Sequence, residues 1–152
     1  MNERFKKLTD RMPLRLQSLL EQPPIAIDDI GITQVPPKGV YVFFEVNKAI
    51  YVGRSNRLKE RLKEHSQRSA VHNSATLAIR MAKRNISTQQ KKKTTKQLME
   101  DSNFVKKFEV AKNRIARTEI RFIDIKDQAE QAMFEMYAIL ALKTEFNDFG
   151  TH

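Results

Sequence analysis

The chain contains no cysteine, which excludes both a disulfide framework and a thiolate metal site. No apolar run approaches the roughly 18 residues of a membrane-spanning helix, and the first residues, MNERFKKLTD, lack the apolar core of a secretory signal. A cytoplasmic protein without a membrane partner is therefore expected. Internal repeats, coiled-coil heptads and collagen-like periods are missing as well. The only stretch of restricted composition is the Lys/Thr/Gln-rich segment 88–97. At 152 residues there is room for one core of ordinary size and not for two, so a single domain is expected over 1–152.

Acid is scarce where base is dense. Lys and Arg total 28 against 18 Asp and Glu, a formal net charge of +10, which favours an anionic partner such as nucleic acid. The formal charge is 0 over 1–30, +1 over 31–53, +4 over 54–79, +7 over 80–99 and +1 over 100–114, then −3 over 115–152. Segment 80–96 holds Arg80, Lys83, Arg84, Lys91, Lys92, Lys93 and Lys96 and no acid at all. Solubility needs less charge than that, so phosphate contact is the functional expectation and a solvated loop the alternative.

Hydrophobic spacing places these residues on elements. LRLQSLL at 14–20 has helical spacing after Asp10 as cap and Pro13 in the first turn, and Pro23-Pro24 ends it. Residues 25–38 carry Gly31, Pro36 and Pro37 and read as a connection with room for a short edge strand. VYVFFEV, a turn at Asn47-Lys48 and the returning AIYVG predict a hairpin. Ser55 or Asn56 then caps a helix over about 57–68. Further helices are expected over 73–84, 96–113 and 127–143, with TEIRFIDI at 118–125 alternating like a half-buried strand.

The helix after the hairpin carries three stripes. Leu58 and Leu62 face a core, Arg57, Arg61 and His65 form a second column, and Lys59 and Lys63 a third. Like charges one turn apart repel by a few tenths of a kcal/mol per pair, so the second column suits an anion in front of it.

Together these residues match a known pattern. GVY at 39–41 and YVG at 51–53 resemble the paired motifs of the GIY-YIG nucleases, with Val for the middle Ile in both. Arg61 and His65 follow at the spacing of that family's first-helix Arg and His or Tyr, and Glu135 precedes Asn147 as the family's metal-binding Glu precedes a terminal Asn. Either tripeptide alone is ordinary strand sequence; the ordered set is specific. The resemblance implies an α+β fold, a small central antiparallel or mixed three-stranded sheet flanked by helices. Residues 39–68 and 117–148 would form its nuclease core, 1–38 an N-terminal helix and connection, and 69–116 an extra basic helical insert.

It further implies a metal-dependent endonuclease acting on DNA, with RNA left open and the oligomeric state not legible. Glu135 would hold Mg²⁺ or Mn²⁺, a hard cation that keeps most of its waters. Arg61 would fork onto the phosphate, and Tyr41 or Tyr51 would assist the attacking water, the GVY tyrosine first. A phenol is a poor base at neutral pH unless Arg61 and Arg54 favour the phenolate. His65 would hydrogen-bond near the nucleophile. Arg54, Arg57 and the seven cations of 80–96 would bind nucleic acid, while Gly39, Gly53 and Asn147 support the site.

Simpler readings stand beside each role. Tyr41 and Tyr51 could be strand packing, Arg61 a solvated helix residue and His65 a surface histidine at a helix end. Glu135 interrupts an apolar helix and needs a partner or an ion, with Glu130 as the competing carboxylate. Asn147 could cap the last helix or pin the C-terminal tail, and the glycines admit close backbone approach. A nucleic-acid-binding module without cleavage is the alternative function.

Overall fold

The computed structural model describes residues 1–67 and 75–149. A four-stranded antiparallel sheet carries helices on both faces. Its strands are β1 (Ile25–Ala26), β2 (Gly39–Glu45), β3 (Lys48–Ser55) and β4 (Glu119–Asp124), in the order β1-β4-β2-β3. The α+β class is as expected, with one strand more than three. The extra one is the two-residue edge strand β1, paired to β4 through Ile25–Ile120 and Ala26–Glu119. So short a strand has no period of its own for a sequence to show.

Helix α1 (Glu3–Glu21) is longer than its sequence signal. Asn2 caps it by accepting the Phe5 N–H, and Pro13 lies inside it, not in a first turn capped by Asp10. The proline removes one backbone bond. Leu8, Met12 and Leu19 nevertheless form a buried stripe that holds the helix on the sheet. The hairpin turn also sits one residue earlier than expected, at Val46-Asn47, both with positive φ (48° and 64°). A two-residue turn of this hand matches strand twist. Val46 is an unusual occupant, since a β-branched residue there is strained.

Helix α2 (Leu58–Ser66) follows β3, with Arg57 at its cap position and the Ser55 hydroxyl accepting the Arg57 N–H. Its expected end at 68 falls outside the described residues, as does the expected start of the next helix at 73; α3 is described over Thr76–Ala82. The helix expected over 96–113 is instead the single turn α5 (Thr95–Leu98) and a separate helix α6 (Ser102–Ile115), preceded by a further single turn, α4 (Thr88–Lys91). Two capping boxes restart the chain, Ser87 with Gln90 and Thr94 with Gln97, and Asp101 caps α6. The S-x-x-Q and T-x-x-Q signals were present in the Lys/Thr/Gln-rich stretch. Helix α7 (Gln128–Leu142) starts on Asp127 and stops where Lys143 turns left-handed.

Strand β2 is buried on both faces, which is why it reads as a continuous apolar run. Val40, Val42 and Phe44 pack with Met12, Leu19, Phe134 and Ala138 of α1 and α7. Tyr41 and Phe43 pack on the other side with Leu58, Leu62, Leu77, Phe104 and Phe108. Apolar residues from 76–115 therefore share a core with the hairpin. No helix among the described residues is long and apolar enough to cross a membrane.

Candidate active site

A one-residue irregularity in the hairpin builds the site. Phe44 pairs with Ala49, but Phe43 pairs with Tyr51 and Tyr41 with Gly53, so Ile50 is an extra residue in β3. An unbroken ladder would oppose Tyr51 to Val42 and turn its ring to the α1–α7 side. The bulge instead brings Tyr51 onto the face of Tyr41, their ring centres 6.3 Å apart. Gly53 completes the arrangement, because any Cβ there would run into the hydroxyl end of Tyr41. Gly39 likewise lets β2 approach the Ile123 carbonyl of β4.

Burial of Leu58 and Leu62 lays α2 over this face and drives His65 into it. The histidine is 2% exposed, its Nε2 lies 2.9 Å from the Tyr41 hydroxyl, and the rings of Tyr41, Phe43 and Tyr51 surround it at 5.3–5.8 Å. Burial, with the Arg61 charge adding, pulls the imidazole down to about 3, so it is neutral at physiological pH. Its Nδ1 is buried with no hydrogen-bond partner among the described residues. His65 is not a surface residue beside Arg57.

Arg61 is pinned from several sides. It donates to Glu64 at 2.8 Å and to the Thr76 hydroxyl at 2.7 Å, and its charge acts on the Tyr41 hydroxyl. The repulsion expected along the Arg57–Arg61 column is relieved within the chain, since Glu64 also lies 3.6 Å from Arg57. Glu64 was legible by spacing, three residues after Arg61. Thr76 had no signal in the sequence.

Both phenols are shifted upward. Burial dominates for Tyr41, reinforced by Tyr51 and Glu135, and Arg61 opposes it only in part. For Tyr51 burial again dominates, against Arg80 and Arg61. The condition that arginines favour a Tyr41 phenolate is thus not met in this state. Arg54, the other arginine invoked, is paired to Glu135 at 2.9 Å. It stands opposite Val40 in the sheet, on the α7 side of β3. Glu135 is 28% exposed there, yet its charge acts on both phenols across the strand.

Glu130, the competing carboxylate, has a different task. It is buried and held by Arg15 at 3.0 Å and Arg11 at 3.8 Å, tying α7 to α1. Asn147 does not cap α7; its side-chain oxygen accepts the Val52 N–H at 2.8 Å and its amide donates to the Val52 carbonyl at 2.9 Å. With the Phe146 N–H on the Ile50 carbonyl exposed by the bulge, the C-terminal segment covers the open edge of β3.

Among the expected nucleic-acid residues, Arg80 lies 5.8 Å over the Tyr51 ring, and Arg84 reaches Glu145 at 3.2 Å. Lys83 donates to the Thr95 hydroxyl at 2.6 Å. Lys91, Lys92, Lys93 and Lys96 are exposed and make no ion pair among the described residues. No group of three or more His, Cys, Asp or Glu converges as a metal cage among those residues.

Comparison with known proteins adds one match. The model of a family described as a UvrC-like GIY-YIG domain matches residues 37–114, just over half the chain, including the segment between α2 and β4. No curated protein and no solved structure matches.

Proposed function

Because the chain belongs to the UvrC-like GIY-YIG family, we propose that it is a metal-dependent endonuclease hydrolysing phosphodiester bonds in DNA. One observation carries this reading. On the buried hydroxyl of Tyr41 in β2 converge the His65 Nε2 of α2 at 2.9 Å, the Arg61 charge of the same helix and, across the sheet, the charge of the partly exposed Glu135 carboxylate of α7. Such convergence costs burial of polar groups and is typical of reactive sites.

Each residue has a task in phosphodiester hydrolysis. Arg61 holds the phosphate through the planar fork that Glu64 and Thr76 orient. Tyr41 enters as a neutral phenol that positions the attacking water, and His65 Nε2 is the buried group within reach of its proton. Glu135 fits a hard divalent cation: it is a single accessible carboxylate with only Oε2 engaged by Arg54, and Mg²⁺ takes one or two carboxylates plus water and phosphate oxygens. When bound, Mg²⁺ or Mn²⁺ supplies Lewis-acid stabilisation of charge on the phosphoryl oxygens. The Arg54–Glu135 pair favours the alternative, a binding module in which the carboxylate is purely structural.

Purified protein on supercoiled, nicked, branched and single-stranded DNA separates the two. Cleavage with Mg²⁺ or Mn²⁺ that EDTA abolishes, with binding retained, is the expected result. Binding without cleavage on every substrate would establish the module. Neutralising Lys91, Lys92 and Lys93 should weaken binding to all sequences and flatten the salt dependence by up to about three units, as each neutralised phosphate contributes roughly 0.9. An unchanged slope in a binding titration would make the tract a solvated loop.

A further inference from the structure

Arg80, over the Tyr51 ring, and Arg84, over the Phe146 ring, are already bound to oxygens of the chain itself. Arg80 donates to the Phe146 carbonyl at 3.2 Å and lies 3.9 Å from the Asp148 carboxylate. Arg84 donates to the Glu145 carbonyl at 3.0 Å and meets the Glu145 carboxylate at 3.2 Å. They line an open groove of about 310 Å³ with residues 145–148 as its far wall. Two guanidinium groups, Arg80 on α3 and Arg84 in the turn that follows it, face a row of oxygens as they would along a phosphodiester backbone.

We propose that the Arg80–Arg84 groove is a backbone-phosphate subsite adjoining the tyrosine cluster, and that Glu145 and Asp148 occupy it as internal phosphate mimics which the nucleic acid displaces. The proposal rests on the nucleic-acid reading above and adds a competitor to it. Arg80 belongs next to the reacting centre and not to a distant clamp, because it also covers Tyr51.

The anchors of this segment make the exchange local. Phe146 is 7% exposed, its N–H is bonded to Ile50, and Asn147 holds both backbone groups of Val52. Residues 146 and 147 therefore stay in place. The two carboxylates flank them, with Asp148 71% and Glu145 32% exposed. Exposed ion pairs of this kind are weak, so a phosphate diester can replace them by turning two side chains outward. The backbone carbonyls then remain as the fixed acceptors that orient the arginines.

The test is a binding cycle in EDTA, so that cleavage plays no part, with fluorescent duplex DNA and RNA of the same sequence as probes. Glu145→Gln with Asp148→Asn should tighten binding about three- to tenfold, the scale of two exposed ion pairs. The same pair of changes in an Arg80→Gln, Arg84→Gln background should have almost no effect, because the competitor then has nothing to guard. An equal gain in both backgrounds would mean that the carboxylates act only through overall charge, and the proposal fails. No gain in either background overturns it as well, while leaving the nucleic-acid reading intact if the parental protein binds. A parental protein with no affinity for either probe would overturn both.

Discussion

Glu135→Ala should lower single-turnover cleavage of supercoiled DNA by about 10³ or more, the equivalent of about 4 kcal/mol of lost transition-state charge stabilisation. The carboxylate is the metal donor of the proposed site, so its loss removes the cation and with it the stabilised phosphoryl charge. Folding should be little affected, because Glu135 is partly exposed and its removal leaves no buried cavity. Duplex binding should hold or tighten, since Arg54 is released from its ion pair with Glu135 and becomes available to phosphate. The control is Glu130→Ala. That carboxylate neutralises Arg15 and Arg11 between α1 and α7, so its loss should lower the thermal midpoint while folded protein still cleaves. Near-parental cleavage by Glu135→Ala would remove the metal assignment.

Arg61→Lys is the second large effect, and it separates geometry from charge. The guanidinium holds Glu64 and Thr76 at once while its charge acts on Tyr41. A lysine ammonium keeps the charge but cannot span both partners and a phosphate from one plane. Cleavage at saturating enzyme should fall by about 10² or more, the scale of one transition-state donor, with little change in the salt dependence of binding. Lys59→Arg, on another stripe and bonded to the Thr33 carbonyl, should leave the rate within about twofold. Parental cleavage by Arg61→Lys would make Arg61 a general electrostatic contact.

Much of the scaffold was legible because its signals are local. The β2–β3 hairpin, the Leu58/Leu62 stripe of α2, β4 and α7 each follow from alternation or helical spacing within a few residues. The misses share a cause. Pro13 set the expected start of α1 too late, because a proline is ordinarily tolerated in a helix's first turn, and here packing against the sheet offsets the lost bond. The turn was displaced because Val46 is a poor left-handed residue by propensity, yet strand register requires it there. At 87–97 two capping boxes, Ser87 with Gln90 and Thr94 with Gln97, divide the cationic run into single turns that apolar spacing does not mark.

For the site, residue identity and chain order nominate Tyr41, Tyr51, Arg61, His65 and Glu135 as candidates, since motif spacing is a property of the chain alone. Their surroundings were decided by the fold. The Ile50 bulge chose the face of Tyr51, and the closure of α2, α3 and α6 over that face buried His65 and most of both phenol rings. Glu64, Thr76 and Arg54 became the partners of Arg61 and Glu135 only through contacts made in the folded chain. Protonation and pairing depend on desolvation and on charges brought together from distant segments, and both exist only once the chain has packed.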